Sequence, residues 1–115
     1  MKFLISICFL ISSLSLNAQS SITGLWIIGE ENIKIEIIEE EGIYSARFHS
    51  SENSKLEVGK LFLKEFKKEK EKYKGKIYSI KKGKWYNATL EEKGDILEVK
   101  VKAGLMKKTL EWKRE

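Results

Sequence analysis

The sequence predicts an all-β fold: a small antiparallel up-and-down barrel of about eight strands. Three observations carry this expectation. From Ile22 onward, apolar residues recur with a period of two rather than 3.6. Short polar or glycine-bearing breaks separate these runs, and no stretch reads as a strong helix. The chain has 115 residues, 42% hydrophobic and 10% aromatic, which suffices for one folded domain and no more. A row of short strands presents unpaired edges unless the sheet closes, so a barrel is expected over an open sandwich.

The first residues stand apart from that pattern. Met1 and Lys2 give a positive start, residues 3–16 are apolar apart from Ser, and small residues follow at Ala18 and Ser20. This is the three-part pattern of a secretory signal peptide. Residues 1–18 are expected to be removed, with cleavage after 18 or 20, leaving a single β-barrel domain over 22–115. The apolar run is short for a membrane span, so no transmembrane segment is expected after its removal. An uncleaved anchor is the alternative. The protein is therefore expected to be exported, to the periplasm or the medium. Cys8, the one cysteine, falls in the removed segment, so no disulfide or thiol chemistry is expected of the mature protein.

The strands follow in order. Residues 25–29 form the first. Ile33, Ile35 and Ile37 alternate with Lys34 and Glu36, and Tyr44, Ala46 and Phe48 alternate with Ser45 and Arg47. Glu40, Glu41 and Gly42 turn between them, so the pair reads as a hairpin. Residues 50–54 form a polar loop. The stretch 58–73 is ambiguous, because Phe62, Phe66 and Tyr73 fit one helix face and Lys and Glu are good helix formers. A strand over 58–67 is preferred, since Leu61 and Leu63 are spaced by two. Strands at 76–80, 85–91, 96–102 and 105–113 complete the set, broken by turns at Gly83, Gly94 and Gly104.

The C-terminal part carries a family resemblance. It contains Gly75-x-Ile77-Tyr78, Gly83-Lys84-x-Tyr86-x-Ala88-x-Leu90, Leu97-x-Val99, Gly104, Lys108-Thr109 and Trp112-x-Arg114, with Gly24-Leu25-Trp26 near the start. This resembles the bacterial family called domain of unknown function 2147, whose members are small exported proteins. The chain departs from the family pattern at Ser79 and Ile80, where Asp-Pro is usual, and at Lys108, where Arg is usual. The resemblance implies a lipocalin-like barrel and no assigned activity. It also implies an arrangement in which Trp26 closes one barrel end with a basic side chain across it. The first and last strands are then expected to pair, with the Arg114 guanidinium over the Trp26 indole and Trp112 in the same closure.

Catalytic chemistry is poorly supplied. There is one His, His49, and the single Asp, Asp95, sits in a Gly94-Asp95 turn. A Ser/His/Asp arrangement would need both singletons to converge. Metal binding without Cys would fall to carboxylates, and Glu39, Glu40 and Glu41 read as a charged hairpin tip. No catalytic residue, metal site or cofactor is expected. The net charge is +5, yet of 22 basic residues only Arg47 and Arg114 are arginine. Lysines interleaved with glutamates read as a solvated face. Lys lacks the planar fork that reads bases and phosphates, so nucleic acid is not expected as a partner. Attraction to anionic lipid headgroups is the remaining reading of the charge.

Two functional readings follow. In the first, the barrel binds a small hydrophobic or amphiphilic molecule, neutral or anionic, in the cell envelope. In the second, the barrel is fully packed and the protein is a structural or interaction component of the envelope. An interior cavity above about 300 Å³ would favour the first. The candidate ligand-binding residues are Lys108, Tyr44 and Tyr86. Lys108 shares the inward parity of Met106, Leu110 and Trp112, and a lysine inside a small barrel is costly. Its ammonium is expected to snorkel from the barrel mouth, to meet an internal partner such as the Tyr44 or Tyr86 hydroxyl, or to anchor an anionic ligand head.

Overall fold

The computed structural model describes residues 21–29, 32–51 and 56–115. Eight strands follow one another: β1 Gly24–Ile28, β2 Ile33–Glu40, β3 Ile43–Ser50, β4 Leu61–Glu69, β5 Lys72–Ser79, β6 Lys84–Lys93, β7 Ile96–Ala103 and β8 Met106–Arg114. They form one closed antiparallel barrel in chain order. The all-β meander barrel expected from the sequence is therefore the fold, and no helix occurs among the described residues. The expected signal segment 1–18 lies outside the described residues, as does most of the polar loop 50–54. Ser50 itself ends β3.

The inward face is set by the alternation. Ile35, Ile37, Leu90, Leu97 and Val99 are buried, while Glu36, Asn87 and Lys100, of the opposite parity, are exposed. No polar or charged residue is buried among the described residues. Phe62 of β4 lies 4.8 Å from Phe48 of β3 and 5.8 Å from Trp112 of β8, measured between ring centroids. Strands β4 and β8 face each other across the barrel, so this aromatic bridge fills its middle.

The region that looked partly helical is the hairpin β4–β5. The last strand residue of β4 is Glu69 rather than residue 67, and β5 begins at Lys72 rather than residue 76. Lys70, with φ 60°, makes the tight turn between them. The strand parity breaks at Glu65, where the register shifts between Lys64 and Lys67 and φ is also 60°. Such a bulge sets two residues against one and bends the strand. Here Glu65 and Phe66 oppose Gly75. The Phe66 ring lies over that glycine, and a Cβ there would come within 2.5 Å of Phe66 Cγ. Phe62 and Leu63 are both buried, so parity also slips there, where the β3–β4 register shifts between Ala46 and Arg47. With two slips in β4, Phe62 and Phe66 both face inward, and Tyr73 joins them from β5.

Closure is short. β1 pairs with β8 only through Trp26↔Arg114 and Ile27↔Lys113. The other seven strand neighbours share longer ladders, up to eight residue pairs between β5 and β6 and between β7 and β8. Strand β8 therefore runs well past the last residue of β1, and among the described residues its N-terminal half pairs on one side only.

Candidate functional site

That short seam decides the fate of the expected interior site. Lys108 has inward parity, but it is exposed, and so is Met106. Both lie on the part of β8 that projects beyond β1, where β1 no longer flanks the strand. The charge is not buried, so the cost expected of it does not arise. Tyr44 and Tyr86 are half-buried against the core, but at different levels. Tyr44 sits beside Phe66 in register and meets Tyr73 edge-on, with centroids 4.9 Å apart. Burial, with the Tyr44 hydroxyl second, pushes the Tyr73 phenol up to about 12. Tyr86 pairs with Ile77, and Lys108 is level with Ala88 through Val101. Through Phe66 and Gly75 the row of Lys108 leads to Tyr44, with Tyr86 on the next row, and no hydrogen bond joins Lys108 to either hydroxyl among the described residues.

The closure residues are gathered at the opposite end of β8. The Arg114 guanidinium lies 4.2 Å from the Trp26 ring centroid. It donates to the carbonyls of Thr23 (3.2 Å) and Ser21 (3.3 Å) and to the Glu92 carboxylate (2.8 Å). The Trp26 indole N–H donates to the Ile22 carbonyl at 2.9 Å. Trp112 is buried in the core two residues away. A planar fork suits this place, because one side chain can stack on a ring and reach three acceptors together.

A cavity lies on the outside of the barrel. It is a trough of about 700 Å³ on the outer face of β5–β8, lined by Lys74, Lys76, Lys100, Lys102 and Lys107, with Asn87, Thr89 and Thr109 between them and Glu65 at its edge. Register explains the cluster. One outward row across five strands reads Lys64, Lys76, Asn87, Lys102, Lys107, and the next reads Lys67, Lys74, Thr89, Lys100, Thr109. Lys64 faces Lys76, Lys67 faces Lys74, and Lys102 faces Lys107 directly across strand pairs. Like charges opposed in a sheet are destabilising. Lys100 lies 3.7 Å from Glu98 and Lys74 lies 3.6 Å from Glu69, whereas Lys76, Lys102 and Lys107 form no ion pair among the described residues. Lys72, Glu91, Glu98 and Glu111 line up one row further along, and Lys93, Ile96 and Lys113 follow in the row after that. The hydrogen bond from Lys93 is the main cause holding the Glu98 carboxyl below its usual range.

These lysines were legible only as alternating outward residues of separate strands. Their alignment into rows is a property of register. A smaller cavity of about 250 Å³ lies over β2 and β3, beside Ile38, Val58 and His49. There Arg47 donates to the Gly59 carbonyl at 2.9 Å, and His49 Nδ1 is 3.8 Å from Glu36. No group of three or more His, Cys, Asp or Glu that could hold a metal ion occurs among the described residues.

Comparison with known proteins agrees with the resemblance read from the motifs. Residues 24–114 match the model of the family described as "Uncharacterized protein conserved in bacteria (DUF2147)". No curated protein matches the chain.

Proposed function

The chain belongs to this uncharacterised bacterial family of unknown function, and from that premise we propose that it is an exported, non-catalytic binding module. Its ligand is an anionic, amphiphilic component of the cell envelope, held on the outer face of the barrel. The observation that carries the reading is the lysine trough. Five lysines line about 700 Å³ of concave surface, and two of them, Lys102 and Lys107, are opposed across one strand pair. Unrelieved repulsion of this kind costs folding stability, and local conflicts in a sequence concentrate at functional sites. A molecule bearing clustered phosphate or carboxylate groups relieves it. The interior is the poorer candidate, because Phe48, Phe62 and Trp112 bridge the barrel from wall to wall. Export is supported by the apolar run of residues 3–16 behind Lys2.

The test is binding of dextran sulfate, a soluble polyanion, measured by calorimetry at two salt concentrations. Lys100→Glu/Lys102→Glu is expected to weaken binding about tenfold or more, and salt is expected to weaken binding by the parent protein. Both lysines are exposed, so the fold should tolerate the change. Unchanged affinity in the double variant, or no binding by the parent, would remove the trough from consideration.

A further inference from the structure

The lysine face adjoins an end of the barrel with an unusual order of residues. The β5–β6 and β7–β8 turns lie at this end, and their apolar residues are bare: Leu105 is fully exposed, Met106 is 77% exposed and Ile80 is 47% exposed. Gly104, with φ 64°, makes the β7–β8 turn tight enough to put Leu105 at its apex. Lysines flank both tips: Lys81, Lys82 and Lys84 on one, Lys107 and Lys108 on the other. Just behind the first tip, Tyr78 and Trp85 pack edge to face on the outer surface, centroids 5.2 Å apart. Lys60 lies 4.7 Å from the Tyr78 ring and Lys64 lies 4.3 Å from the Trp85 ring. The first full lysine row follows immediately behind these aromatics.

We infer that this end of the barrel docks on an anionic lipid bilayer, with Leu105 and Met106 entering the headgroup–acyl boundary. This rests on the proposed function and names the surface that presents its anionic partner. The order from tip to trough is apolar, then Trp and Tyr, then Lys. A bilayer presents the matching order of acyl chain, interface and phosphate, and Trp and Tyr favour the interface level. Adjacent bare Leu and Met at a turn apex, with Ile80 on the neighbouring tip, offer apolar surface to a partner. The lysines supply attraction to anionic headgroups, and their long stems let the ammonium reach phosphate while the tips insert.

The experiment is sedimentation of the folded protein with vesicles of phosphatidylglycerol and phosphatidylethanolamine in equal parts, against vesicles of phosphatidylcholine alone. The parent is expected to pellet with the anionic vesicles and much less with the neutral ones. Leu105→Ser/Met106→Ser changes only exposed residues and is expected to lower anionic-vesicle binding about tenfold. The same variant is expected to bind dextran sulfate as the parent does. Trp85 fluorescence should shift to the blue on vesicle addition in the parent, because Trp26 and Trp112 are already buried. A parent that binds dextran sulfate but pellets with neither vesicle overturns the docking and leaves the trough reading standing. A double variant that pellets like the parent overturns it too, whereas loss of both ligands by the parent removes both readings.

Discussion

Replacing Arg114 by Lys keeps the charge and removes the fork, which makes it the sharpest probe of barrel closure. The first and last strands share two residue pairs, and Arg114 is in one of them. Its side chain also ties the incoming segment to the seam through the Thr23 and Ser21 carbonyls, stacks on Trp26 and meets Glu92 at 2.8 Å. A lysine ammonium can keep Glu92, but it cannot hold both carbonyls and the ring as well. Each bond to a carbonyl is worth about 0.5–1.5 kcal/mol net, and the stack about 0.5–2 kcal/mol. The Arg114 side chain is 28% exposed, so water replaces part of what is lost. The expected loss for Arg114→Lys is therefore about 1–3 kcal/mol. Arg114→Met should lose about 1 kcal/mol more, since Glu92 is left half-buried without its partner. For a domain of this size each kcal/mol lowers Tm by about 4–8 °C. Thermal melts followed by circular dichroism read the shift, and urea melts read the free energy. A double-mutant cycle with Glu92→Gln isolates the ion pair. Arg114→Lys melting with the parent would show that the seam does not depend on the fork.

Two further outcomes follow from the core. Gly75→Ala puts a methyl 2.5 Å from the Phe66 ring and 2.7 Å from its Cα, a backbone atom that ring rotation cannot clear. Overpacking of this kind costs about 1–3 kcal/mol, offset by less than about 1 kcal/mol from a stiffer unfolded chain. The urea midpoint should fall, and an unchanged midpoint would refute the close approach. Tyr73 holds its proton to about pH 12 in the folded state, against 10.0 for an ordinary phenol. Between those values the folded protein binds more protons than the unfolded chain, so the Tyr73 contribution is full below pH 10 and lost by about pH 12. That loss is on the order of 2 kcal/mol. Tyr73→Phe should flatten the alkaline fall in stability relative to the parent in paired urea melts, and parallel profiles would refute the burial argument.

Alternation is a local property, so it was readable wherever a strand kept its parity. Ile33, Ile35 and Ile37, or Leu97 and Val99, mark their strands in sequence because each neighbouring residue points the other way. The hairpin β4–β5 resisted the same reading for two local reasons. A bulge at Glu65 and Phe66 shifts the parity, and the Lys and Glu residues around the turn suit a helix as well as a strand. Which residues face inward could thus be read from the chain for most strands, and with it the all-β class.

Position along the barrel axis and partners across strands are different quantities, and the tertiary structure alone decided them. Lys108 has the parity of Trp112, but parity does not say how far the neighbouring strand extends. β1 ends at Ile28, so Trp112 is covered and Lys108 is bare. The lysines of β4, β5, β7 and β8 are each ordinary outward residues of their own strand. They become one surface because four ladders set their stagger together, and a shift of one residue in any of the four would scatter the rows. Sequence alternation thus determined the two faces of each strand. Closure, through strand length and register, determined which inward residues are covered and that the outer lysines meet.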